Sequence, residues 1–113
     1  ESFMKSRKNI LEERGLLDLP VGYHKESKEM VPLRTVVDQL NDLELIRNLD
    51  KSQQENLVVE RWKAGGWLDI IISDELITMA RGIKEVQENT EQGQDLVKIY
   101  IRAIEMTLES LAA

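Results

Sequence analysis

Few side chains in this chain have the type and spacing to do chemistry, and they are scattered. There is one histidine, His24, and no cysteine. A zinc site needs several nitrogen or sulfur ligands, commonly with a His-x-x-x-His step, and His24 has no such companion. As a general base it would need an oriented nucleophile. Ser27 is the nearest hydroxyl in sequence, and nothing in the spacing pairs the two. A di-metal carboxylate centre would need Glu-x-x-His on two helices, and neither exists. His24 therefore reads as an exposed loop residue. No metal and no cofactor are expected.

The densest polar group is Asp69, Ser73, Asp74 and Glu75, beside Trp67 and the apolar run Ile70-Ile71-Ile72. A carboxylate held against an indole can take up a proton more readily and serve as an acid or base. This is the basis for reading the chain as a small enzyme subunit with an acidic site. The competing explanation is helix capping: Ser73-Asp74 falls where a helix would start, and Asp69 and Ser73 would share one helix face. Capping is the stronger of the two, so no catalytic residue is assigned. Gly65-Gly66 lacks the spacing of phosphate-binding loops and reads as a helix terminator. No serine sits in Gly-x-Ser-x-Gly.

Charge bears on partners. The net charge is −6, and residues 67–113 carry four basic against nine acidic side chains. Affinity for nucleic acid comes largely from basic side chains displacing counterions, so nucleic acid is not expected as the main partner. The exception is the basic start, Lys5, Arg7, Lys8 and Arg14, which keeps a transcriptional or nucleic-acid-associated regulator as an alternative. A helix-turn-helix around Gly65-Gly66 is a poor DNA reader. Its second helix would offer Leu68, Asp69 and three isoleucines to the groove, where Arg, Lys, Asn or Gln belong.

Length and composition point to one folded domain spanning 1–113. At 42% hydrophobic the chain is too apolar to stay disordered. No apolar run reaches the roughly 18 residues of a membrane span, and Lys5, Arg7 and Lys8 interrupt any leader-like start. A cytoplasmic, intracellular location fits the absence of cysteine. The chain opens Glu1-Ser2-Phe3-Met4. Met4 reads as a native start, or the chain is a piece of a larger protein.

The elements expected from periodicity are all helical. Ser2–Arg14 forms a first helix ending at Gly15. Residues 16–30, with Leu16, Leu17, Leu19, Pro20, Val21 and Tyr23, have no helical period and form an ordered apolar loop. Pro32 opens a second helix whose face is Leu33, Val36, Val37, Leu40 and Leu43. Leu45, Ile46 and Leu49 then fall half a turn away, so that helix either breaks at Asn41-Asp42 or lies between two layers. Ser52-Gln53-Gln54-Glu55 matches a capping box for a helix running to Ala64, with Val58, Val59 and Trp62 inward. Trp67 to Asn89 is read as two helices meeting at Ser73-Asp74. The Ile triplet is strand-like by propensity, but no partner strand is evident. A short echo between Val36–Leu43 and Ile70–Leu76 hints at stacked helix pairs.

The last helix, from about Gln94 to Leu111, has an apolar arc of about 220° at 100° per residue. A surface helix needs only about 100°. It is either the central helix of the domain or a surface for another chain. The expected fold is therefore all-α: a five- to six-helix bundle, or a short stacked helix-pair (solenoid-like) domain, with a central C-terminal helix. The expected function is non-catalytic protein–protein interaction, regulatory, adaptor or scaffold in kind, through another protein or a second copy of the chain as a homodimer. The candidate interface is Leu17, Leu19 and Tyr23 of the apolar loop with Leu96, Ile99 and Met106 of the last helix. No membrane partner is expected.

Overall fold

A computed structural model describes residues 11–112, apart from Leu68 and the side chain of Ile72. Only the end of the expected first helix, Leu11 to Arg14, falls within it; Leu11 to Glu13 are helical, and Gly15 follows in the left-handed conformation (φ 70°). Lys5, Arg7 and Lys8 lie outside the described residues, and so does the nucleic-acid reading that leans on them.

The all-α expectation is overturned: two antiparallel hairpins interrupt the helices. The first pairs β1 (Pro20–Tyr23) with β2 (Met30–Pro32), with a register irregularity between Pro20 and Gly22. Of the residues expected to form an apolar loop, Leu16–Asp18 make a single turn and Pro20–Tyr23 a strand. Pro20 and Pro32 face each other at the open end of the ladder, where a missing N–H costs little. The turn is held by His24: its amide donates to Glu29 O at 2.8 Å and its Nδ1 accepts from Glu26 N at 3.2 Å.

The expected second helix is only one turn long, α1 (Leu33–Val36). The chain then forms single turns at Leu40–Asp42 and Ile46–Asn48. This resolves the phase change in the apolar pattern. Leu33, Val36, Leu43, Ile46 and Leu49 all reach the core because the backbone bends between them. The bend comes before Asn41, and Asp42 lies inside a turn. Glu44 N donates to Tyr23 O and Lys25 N to Asp42 O, each at 2.8 Å, fastening this segment to the end of β1.

Helix α2 (Lys51–Arg61) starts with a capping box two residues ahead of the expected one. Asp50 Oδ1 accepts from Gln53 N at 2.8 Å, and Gln53 Oε1 accepts from Asp50 N at 3.0 Å. The helix closes through a wide last turn, Trp62–Gly66, in which Gly65 takes φ 111°. That is the terminator the Gly-Gly pair suggested.

Beyond it, the helix expected from Trp67 is replaced by β3 (Ile70–Ile72) and β4 (Glu75–Ile77). Ser73 and Asp74 connect them with φ 53° and 65°. Two consecutive left-handed residues match the right-handed twist of a tight hairpin. Helix α3 (Met79–Gln87) follows, capped by Thr78 Oγ1 accepting from Arg81 N at 3.3 Å. Helix α4 (Glu91–Ala112) completes the chain. The echo between Val36–Leu43 and Ile70–Leu76 has no structural counterpart, because one is turns and the other a hairpin.

The core gathers Leu17, Val21, Leu33, Leu57, Val58, Trp62, Leu96 and Ile104, all 1% exposed or less. Helices α3 and α4 form an antiparallel pair against α2. The last helix is not enclosed on two sides. Leu96, Val97, Ile101 and Ile104 are buried, while Ile99 and Met106 stay 58% and 56% exposed. Among the described residues no helix is long and apolar enough to cross a membrane.

Candidate functional site

Trp62, Trp67 and Tyr100 meet in an aromatic corner. Trp62 meets Trp67 edge to face at 4.9 Å between centroids and Tyr100 edge to face at 5.2 Å. Trp67 and Tyr100 lie parallel at 6.1 Å. These are favoured aromatic geometries. Gly82 makes room for them: a Cβ there would stand 2.8 Å from Trp67 Cη2. Gly82→Ala is expected to push the half-buried Trp67 ring outward at a cost of about 1–2 kcal/mol. The expected signs are a red-shifted tryptophan emission and a lower Tm.

The corner aims the second hairpin. Trp67 Nε1 donates to Asp69 Oδ1 at 2.8 Å, fixing the chain just before β3. Glu75 pairs with Arg81, which ties β4 to α3 and holds the Glu75 carboxyl below its ordinary range. The register sets Ile70 opposite Ile77 and Ile71 opposite Leu76. Side chains alternate across a strand. Ile77 is fully buried and Ile70 partly so, while Ile71 and Leu76 face away from the core, 73% and 55% exposed. Ile71 is the most exposed of the large apolar residues described.

The carboxylate group proposed from sequence as an acidic site is thereby redistributed. Asp69 is engaged by an indole, Asp74 sits in the turn, and Glu75 is paired with a guanidinium. The i,i+4 relation of Asp69 and Ser73 on a helix face does not exist, because the segment is extended. Among the described residues no three His, Asp or Glu side chains come close enough to hold a metal ion. Ser27 Oγ accepts from Glu29 N at 3.3 Å, and the Ser27 amide, not its hydroxyl, approaches His24 Nδ1 at 3.5 Å. Both residues shape a turn.

The six residues singled out as an interface are not brought together. Leu17 and Leu96 are fully buried and Leu19 is 5% exposed, so these three are core and offer nothing to a partner. Sequence marked them as apolar but could not say which side was covered. Tyr23 is partly buried. Its hydroxyl donates to Gln53 O at 3.3 Å, and burial, then Asp50 and Glu60, raise its pKa. Ile99 and Met106 alone are exposed, two turns apart on α4. Met106 also lines a shallow cleft of about 370 Å³ with Leu11, Leu16 and Leu111.

Arg61 is the one cation found largely desolvated among the described residues. Its Nη1 donates to Pro20 O at 2.9 Å, and burial lowers its pKa. It pins β1 to α2. A second apolar cleft of about 360 Å³ runs between Leu43–Ile46 and the end of α4, with Leu45 half exposed at its rim.

Ile71 and Leu76 were absent from the interface expected from sequence. The signal was present: a β-branched run, two turn-forming residues, then a second short apolar run. It was hidden because Ser-Asp is also a standard helix start. Comparison of the chain with family models, with curated proteins and with solved structures finds no match.

Proposed function

We propose that this chain is a non-catalytic protein–protein interaction domain and that its contact face is the outer side of the second hairpin. One observation carries the proposal. The two apolar side chains that stand opposite each other in the ladder, Ile71 and Leu76, are both turned to solvent. Apolar surface exposed as a pair on one ladder is unfavourable in water, and exposed apolar patches mark contact sites. The hairpin is also only two strands wide, so each strand keeps an outer edge whose backbone groups can pair with another chain.

The reading is tested by capture from cell extract, with the wild type beside the double variant Ile71→Thr/Leu76→Thr. Threonine keeps the strand propensity and removes apolar surface. Both sites are exposed, so stability is expected to change by less than about 1 kcal/mol. The expected outcome is a stoichiometric partner on the wild type and at least tenfold less on the variant. Equal capture by both chains, with unchanged circular dichroism, would remove the hairpin from the interface.

A further inference from the structure

The structure points to the chemistry of the partner. We infer that the Ile71–Leu76 face takes an extended protein segment of the pattern Lys/Arg-x-apolar-x-Lys/Arg. This rests on the interaction reading above and deepens it.

The hairpin carries uncompensated charge. Residues 67–78 hold three carboxylates and no basic side chain. Glu75 is matched by Arg81 within the chain. Asp74 has no hydrogen bond or ion pair among the described residues. Asp69 uses one oxygen to accept from Trp67 Nε1, which leaves its negative charge in place. The apolar pair is thus bracketed by two uncompensated carboxylates, one at the base of β3 and one at the turn.

Spacing then selects the form of the partner. Asp69 stands four steps of chain before the start of the turn at Ser73, with Ile70–Ile72 extended between them, a span of about 13 Å at about 3.3 Å per residue. An extended partner places residues i, i+2 and i+4 on one face over about 13 Å. A central apolar residue would cover Ile71 and Leu76 while the flanking cations meet Asp69 and Asp74. A phosphate backbone or an anionic lipid surface is repelled by the same two carboxylates. A neutral apolar segment covers the pair but leaves the charges unmet.

The test uses two synthetic peptides, Thr-Lys-Thr-Val-Thr-Lys-Thr and Thr-Glu-Thr-Val-Thr-Glu-Thr, titrated to several millimolar against the 15N-labelled chain. The lysine peptide is expected to shift amides between 69 and 78, and the glutamate peptide to leave them in place. Asp74→Asn retains a residue suited to the left-handed turn and is expected to weaken the lysine peptide about threefold to tenfold. Raising the salt from 50 to 500 mM is expected to do the same.

Equal binding of both peptides would overturn the inference. So would hairpin amides that do not move, shifts confined to the Ile99–Met106 face, or self-association lost in Ile71→Thr/Leu76→Thr. If the captured partner still requires Ile71 and Leu76 but ignores Asp74→Asn and salt, the interaction reading stands and this inference falls. If capture ignores Ile71 and Leu76, the reading itself falls.

Discussion

Gly93→Ala is expected to destabilise the fold by about 3 kcal/mol, despite alanine being the better helix former. The connection between α3 and α4 is unusually tight. Asn89 ends α3 in the left-handed conformation at φ 56°. Thr90 N then donates to Glu85 O at 3.1 Å, and the Thr90 hydroxyl donates to the Glu85 carboxylate and accepts from Gly93 N. These bonds draw the start of α4 directly onto the backbone of α3. A Cβ at Gly93 would fall 2.5 Å from the Glu85 carbonyl carbon and 2.8 Å from Val86 N. Those atoms belong to a helix backbone, so no rotamer change relieves the clash; the helices must part. Parting them exposes Val86, Leu96 and Val97, which are 4%, 0% and 7% exposed in the intact fold. A domain of this size has only about 5–15 kcal/mol to lose. Urea denaturation should show a lower midpoint with an unchanged slope. A Gly93→Ala chain as stable as the wild type would mean that the helices do not meet at Gly93.

Trp62 sets the second large effect. It is fully buried and touches both other aromatic rings of the corner. Trp62→Ala is expected to cost about 3–5 kcal/mol, through lost burial and the cavity left behind. Trp62→Phe separates packing from polarity. The indole Nε1 finds no hydrogen-bond partner among the described residues, and a buried unsatisfied donor costs about 1–3 kcal/mol. Phenylalanine removes that donor while keeping an aromatic ring. Its expected cost is therefore well below that of alanine, about 1–2 kcal/mol. Denaturation followed by far-ultraviolet circular dichroism measures both. Equal losses for phenylalanine and alanine would place the importance of Trp62 in the N–H instead of the ring.

The parts of the fold that sequence made legible are those written in local chemistry. Gly65-Gly66 ends a helix because only glycine takes φ 111° without strain. The cap of α2 was visible as a box of polar residues, two positions from its true place at Asp50. The last helix was plain from its period. Trp62 was expected on the inner face of its helix, and it is fully buried. The hairpins were not legible because their strands are three or four residues long, too short to show alternation. Ile70-Ile71-Ile72 reads as a uniformly apolar run, yet Ile71 faces solvent while its neighbour Ile70 packs on the core. The letters Ser73-Asp74 serve a helix start and a hairpin turn equally well. Only the backbone angles decide between them. The candidate interface suffered from the same ambiguity. An apolar residue is legible; the side of the molecule that covers it is not. Leu17, Leu19 and Leu96 were therefore grouped with Ile99 and Met106, although the first three lie in the core and the last two face solvent.

The outer face of the second hairpin is the proposed contact with the partner. Its most direct measurement is site-specific photo-crosslinking, with a photoreactive phenylalanine placed at Ile71 in one chain and at Ile99 in another. Both positions are exposed, at 73% and 58%, so neither substitution should disturb the fold. A single strong crosslinked product is expected from position 71 in cell extract and none from position 99. A product from position 99, with position 71 silent, would contradict it and move the interface to the last helix.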